Sequence, residues 1–108
     1  MCGIAVFWGD YSPQLLKRMG EVIAHRGPDD DGEYFDRENQ VGLTHRRLSI
    51  IDLSSNGHQP MWDLEKNIAI VFNGEIYNYR ELKTKLTAEG YRFQSHSDTE
   101  VLINLYLR

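Results

Sequence analysis

Cys2 is the first residue of this sequence with reactive chemistry, and its position gives that chemistry a particular form. An initiator methionine is ordinarily trimmed when a small residue follows, so Met1 is expected to be removed, leaving thiol and free α-amine on one residue. An α-amino group titrates at about 7.7–8.0, close enough to neutrality to take the thiol proton and return it to a leaving amine. Terminal nucleophiles that use their own amine are a variant of triad logic. The residue also suits a plain structural role, as a small hydrophobe opening a strand, and position two taken alone favours that role.

Three further positions carry candidate chemistry. Asn73-Gly74 ends an apolar run, where an amide side chain and a glycine N–H can aim two donors at a developing oxyanion. Asn-Gly is also a hairpin signal, but the residues that follow, E-I-Y-N-Y-R-E-L, run into a helix instead of a partner strand, which favours the functional reading. Arg46-Arg47, inside H-R-R-L-S-I-I-D, offers the planar fork that grips a carboxylate, or simply a solvated pair at a strand end. Asp98 lies in the first turn of a helix, where a carboxylate complements the helix dipole or neutralises a substrate ammonium. For Arg46-Arg47 and Asp98 the structural role is the commoner one.

Other chemistries lack their spacing. His25, His45, His58 and His96 show no H-x-x-H or H-E-x-x-H pattern, so no metal site is expected. Asp29-Asp30-Asp31-Gly32 lacks the alternating ligands of a calcium loop. Neither G-x-x-x-x-G-K-[ST] nor G-x-G-x-x-G occurs, so no nucleotide cradle is expected.

These residues need elements to hold them. Residues 2–8 read as a strand covered on both faces. Ser12-Pro13 opens a helix with Leu15, Met19, Val22 and Ile23 on one face, stopped by Gly27-Pro28. Residues 33–35 and 40–45 read as two strands around a polar turn, and residues 68–72 as another buried strand. Asn78 with Glu81 and Ser97 with Glu100 resemble capping boxes of two last helices, with Gly90 closing the first. The second reaches Leu107-Arg108 without a stop signal, so the domain is expected to continue past Arg108.

Composition sets the outer limits. The 108 residues, 41% hydrophobic and 26% charged, suit one small domain of mixed α/β type. A net charge of −4 and a pI near 5.5 argue against nucleic acid as a partner. The single cysteine excludes an internal disulfide framework and a multi-cysteine zinc site. No apolar run approaches the roughly 20 residues that span a bilayer, and no cleavable leader is apparent. A cytoplasmic, reduced setting without a membrane partner is expected.

Taken together, M-C-G-I at 1–4, H-R-G-P-D at 25–29, H-R-R-L-S-I-I-D at 45–52, N-G-E-I-Y-N at 73–78 and S-D-T-E-V at 97–101 resemble the N-terminal glutaminase domain of asparagine synthetases. These are class II glutamine amidotransferases of the N-terminal-nucleophile hydrolase superfamily. Amidotransferases that make glucosamine 6-phosphate or phosphoribosylamine resemble R-G-x-D-S-A-G where this chain has R-G-P-D-D-D-G. The resemblance implies an α+β fold, an α-β-β-α sandwich of antiparallel sheets, of which residues 1–108 would be the N-terminal part. It makes Cys2 the nucleophile and its amine the base, with Asn73 and Gly74 as the oxyanion hole. Arg47 would hold the glutamine carboxylate, Leu48, Ser49, Ile50 and Ile51 would line the pocket, and Glu75 and Asp98 would receive the substrate ammonium.

The resemblance implies no cofactor in this segment. ATP and Mg belong to a C-terminal synthetase domain of the full-length chain, to which ammonia passes for transfer to an acceptor, aspartate first among the candidates. Asparagine-synthetase-like proteins also amidate sugars and peptides, and a homodimer is compatible with the resemblance. The competing reading is a truncated, non-catalytic remnant that binds glutamine or a protein partner.

Overall fold

The computed structural model describes residues 2–49 and 54–108. Its organising element is a three-stranded antiparallel sheet in the order β1-β3-β2, formed by β1 (Gly3–Trp8), β2 (Asp30–Asp36) and β3 (Val41–Arg47). β3 is central and pairs with both neighbours, from Gly3↔Arg46 to Trp8↔Val41 and from Asp30↔Arg47 to Asp36↔Val41. The turn between β2 and β3 is tied by Asp36, whose carboxylate accepts from the Asn39 N–H at 3.0 Å and from its amide at 2.9 Å. The Asn39 side chain, then its backbone, lowers the Asp36 pKa below the usual carboxylate range.

Helix α1 (Pro13–Val22) covers the sheet face formed by Gly3, Ala5 and Phe7 of β1 with Gly42 and Thr44 of β3. Ser12 caps it, accepting from Leu15 N. The expected apolar stripe is corrected here: Leu16 and Gly20 are buried, whereas Val22 is 74% exposed. Close approach decides this. A Cβ on Gly20 would lie 2.9 Å from Thr44 Oγ1, so the helix docks on its glycine, and Leu16 one turn earlier follows it inward. The α-helix ends at Val22, and a 3₁₀ turn, Ala24–Arg26, completes the run to Gly27.

The opposite sheet face is only partly covered, which corrects the expectation for residues 2–8. Ile4, Val6 and Trp8 are all exposed on the edge strand β1. On β2 the cover is real: the Trp62 ring stands edge-on to Tyr34 at 4.8 Å, and Gly32 lies so close under the Gln59 carbonyl that no Cβ would fit. A continuous apolar run announces burial but does not say from which side it comes.

A second, two-stranded antiparallel sheet joins β4 (Met61–Trp62) to β5 (Ala69–Ile70). The expected strand at 68–72 is thus reduced to two paired residues. Helices α2 (Tyr79–Ala88) and α3 (Asp98–Leu107) pack together, and α3 reaches β4; Leu86, Val101 and Ile103 are their buried apolar side chains. Gly90, at φ +98°, closes α2 as expected. The capping boxes are modified. Asn78 occupies the N-cap without a side-chain bond, while Ser97 accepts from Thr99 N at 3.1 Å. Glu100 turns back to the 94–95 backbone, accepting from Gln94 N and Ser95 N, each at 2.8 Å, and from Ser95 Oγ at 2.7 Å.

The α1 docking yields a direct test. Gly20→Leu should destabilise the protein by about 1–3 kcal/mol through overpacking against Thr44, whereas Val22→Ala should stay within about 0.5 kcal/mol as an exposed change. Urea unfolding of both variants checks this.

Candidate functional site

At one end of the large sheet, the segments carrying the candidate residues converge. Cys2 immediately precedes β1, and the register brings it alongside the end of β3. Its Sγ accepts from Leu48 N at 3.2 Å and lies 3.5 Å from the Leu48 carbonyl. Arg26 Nε donates to the Cys2 carbonyl at 3.0 Å, and the Arg26 stem runs within 3.2 Å of where a Gly3 side chain would begin. Both the thiol and the backbone of Cys2 are therefore held by neighbours distant in sequence.

Arg47, the last residue of β3, is buried, and its Nη1 donates to the Ser54 carbonyl at 2.6 Å, which fixes the direction of the guanidinium. The chain beyond it is pinned by Asp29, whose N–H donates to the Arg47 carbonyl at 3.0 Å and whose carboxylate accepts from Ser49 N at 2.9 Å. Ile50 and Ile51 lie outside the described residues. The acidic run is dispersed among three partners: Asp29 to Ser49, Asp30 to His58 at 2.6 Å, and Asp31 to Arg46 at 3.8 Å. Among the described residues, no group of three His, Cys, Asp or Glu side chains could hold a metal.

Asp98 opens α3, is buried, and accepts from Ile76 N at 2.9 Å. Ser97, not Asp98, is the helix cap, which leaves the Asp98 carboxylate to reach across to another segment. Cys2, Arg47, Leu48, Gly74, Glu75 and Asp98 line one small cavity, of about 60 Å³. Asn73 is half-buried beside it but does not contribute to its wall, and neither does Ser49. A side chain on Gly74 would meet the Phe72 ring at 2.8 Å, so the ring would have to shift to admit one.

Sequence reasoning missed Gln59, Phe72 and Thr99, which complete the wall together with Gly57 and Ser97. Gln59 is buried, accepts from Phe72 N at 2.6 Å and donates to Thr99 Oγ1 at 3.2 Å. Its only signal was a polar residue beside proline in a loop, and nothing local separates such a residue from a solvated one. Arg26 was visible only as part of a motif, without a role.

His45, one of the four scattered histidines, is 1% exposed on β3, and among the described residues neither ring nitrogen has a hydrogen-bond partner. Burial lowers its pKa. Phe72's backbone pulls the other way, although no ring nitrogen reaches it in hydrogen-bonding geometry; nearby His58 and Arg47 lower it further, and Asp30 opposes them. Burial thus favours the neutral ring.

The family model described as a glutamine amidotransferase domain matches residues 1–108. The chain belongs to this family. It is 52% identical over 93 residues to asparagine synthetase (glutamine-hydrolyzing) 1 of Bacillus subtilis strain 168, covering 86% of this chain and 14% of that protein. It is 42% identical over 120 residues to amidase chry2 of Gibberella zeae, covering 98% of this chain and 18% of that protein. A putative asparagine synthetase (glutamine-hydrolyzing) 2 of Methanocaldococcus jannaschii is 41% identical over 125 residues, with 98% and 24% covered. The chain thus spans between 14% and 24% of the length of these curated relatives. Among the described residues, no helix is long and apolar enough to cross a membrane.

For this amidotransferase domain, the buried His45 predicts a pH signature. Its folded pKa lies below the unfolded value of about 6.5, so the unfolded chain binds the extra proton as pH falls. The associated stability is fully present above about pH 6.5 and is lost below it, by up to about 1.4 kcal/mol per pH unit. Urea unfolding between pH 7.5 and 5 should therefore show the wild type losing more stability than His45→Leu. Parallel losses would contradict a neutral buried imidazole.

Proposed function

We propose that this chain is the glutaminase part of an asparagine-synthetase-like amidotransferase, hydrolysing glutamine to glutamate and ammonia through a Cys2 thioester. The observation that carries this reading is the single cavity walled by a thiol, a guanidinium, a glycine turn and two carboxylates, from Cys2, Arg47, Gly74, Glu75 and Asp98. An amino acid with a side-chain amide presents a carboxylate, an ammonium and an electrophilic carbonyl, and each has a complementary group in that wall.

With Met1 removed, the Cys2 amine takes the thiol proton, and the thiolate attacks the side-chain amide carbon of glutamine. The tetrahedral oxyanion is met by donors of the Asn73-Gly74 turn, the amine returns its proton to the leaving nitrogen, and ammonia departs. Water then adds to the thioester, passes through a second oxyanion at the same donors and releases glutamate. Arg47 holds the substrate carboxylate, with Leu48, Ser49, Ile50 and Ile51 as pocket backbone, while Glu75 and Asp98 hold the ammonium. Because Asn73 stands beside the cavity wall, its amide must turn inward when the oxyanion forms.

The same reading extends to the whole protein. Residues 1–108 form the N-terminal part of an α-β-β-α sandwich, whose second sheet grows from the β4–β5 pair. A synthetase domain of the full-length chain, using ATP and Mg, takes the ammonia and transfers it to an activated acceptor, aspartate. The reaction takes place in the cytoplasm. The names of the bacterial and archaeal relatives support asparagine synthesis.

Two outcomes are expected. Intact mass should show a chain beginning at Cys2, alkylated once by a glutamine-derived diazo-ketone; Cys2→Ala should abolish both alkylation and glutamate release with an unchanged unfolding midpoint. A wild-type rate in Cys2→Ala removes the nucleophile from the proposal. Asp98→Asn should raise KM for glutamine at least about tenfold, the scale of a lost charge-assisted contact, as read from steady-state glutamate release.

A further inference from the structure

Residues 72–76 carry the proposed oxyanion donors, yet among the described residues sheet pairing ends two residues earlier, at Ile70. Their backbone is fixed by side chains instead. At the leading end, Phe72 N donates to Gln59 Oε1 at 2.6 Å, and at the trailing end Ile76 N donates to Asp98 Oδ2 at 2.9 Å. The other end of the Gln59 amide donates to Thr99 Oγ1 at 3.2 Å. Asp98 and Thr99 are consecutive in the first turn of α3, so one helical turn holds the segment at both ends, directly at Ile76 and through Gln59 at Phe72.

We infer that Gln59 is a positioning residue for the oxyanion-stabilising turn, coupling its leading end to the same helix that carries the ammonium-binding Asp98. The inference rests on the proposed glutaminase reading and deepens it. Phe72 N–H can only donate, so the amide atom facing it must be the oxygen, and this leaves the NH₂ for the Thr99 hydroxyl. Gln59 is 6% exposed, so water cannot readily replace it if the side chain is lost. An apolar residue there would leave the N–H of half-buried Phe72 without its acceptor, and the turn would relax until that donor found another. Oxyanion donors work only within a few tenths of an ångström of their target, and the charge they meet exists only along the reaction path. Loosening the turn therefore acts on turnover, while Arg47 and Asp98 still hold the substrate ends.

Steady-state glutaminase kinetics on the protein test this. Gln59→Leu should lower kcat by about tenfold or more, with KM within about twofold of wild type. Thr99→Val, which keeps the side chain's shape but removes the acceptor, should lower kcat in the same way, and Thr99→Ser, which keeps the hydroxyl and loses the methyl, should recover most of the turnover. Wild-type kcat in Gln59→Leu, a loss confined to KM, or a Thr99→Ser defect equal to that of Thr99→Val overturns the inference. If Gln59→Leu does not unfold cooperatively, the two Thr99 variants decide alone. Cys2→Ala measured in parallel separates the two levels: activity surviving in it overturns the glutaminase reading, whereas an inactive Cys2→Ala beside a fully active Gln59→Leu overturns only the role of Gln59.

Discussion

A backbone that leaves a sheet inside a protein must find other partners for its amide groups, because a buried N–H without an acceptor costs about 1–3 kcal/mol. The half-buried segment after β5 finds such partners in side chains at its two ends. Gln59 accepts from Phe72 and Asp98 accepts from Ile76, and the turn between them is left irregular and turned toward the cavity. Irregular backbone is what the proposed chemistry needs, since an N–H committed to a strand cannot serve an oxyanion. The same requirement explains why polar residues such as Gln59, Asp98 and Thr99 are buried in so small a molecule.

The sheet supplies the other half of the site. β3 carries Arg47 to its end and delivers Leu48 N to the Cys2 sulfur, while Asp29 and Arg26 tie the adjoining chain from the α1 side. Rigidity here comes from register: once Gly3 is opposite Arg46, Cys2 has little freedom to miss the end of β3. His45, one position before Arg46, is buried on β3, where burial favours its neutral form.

Much of this was legible in the residues. The opening strand, the Ser12-Pro13 helix start, the β2–β3 hairpin, the Gly90 stop and the Ser97 cap follow from local rules of turn, cap and periodicity, and each appears in the structure. Of the candidate site residues, Cys2, Arg47, Leu48, Gly74, Glu75 and Asp98 line one cavity. The strand expected at 68–72 shrank because Phe72 found a side-chain acceptor in place of a neighbouring strand. The α1 stripe shifted by one residue because a glycine allows closer approach than any apolar side chain, a fact about the partner surface and not about the helix.

By itself the sequence determined the types of chemistry available, the family to which the chain belongs and the local starts and stops of its elements, all of which depend on residues near one another in the chain. Only the tertiary structure decided that Gln59 and Thr99 belong to the wall, that His45 is buried without a hydrogen-bond partner among the described residues, and that one turn of α3 holds both ends of the 72–76 segment. Those facts join residues tens of positions apart. A hydrogen bond between Gln59 and Thr99 leaves no periodicity and no spacing to read, because its geometry exists only after the sheet and the helices have been packed together.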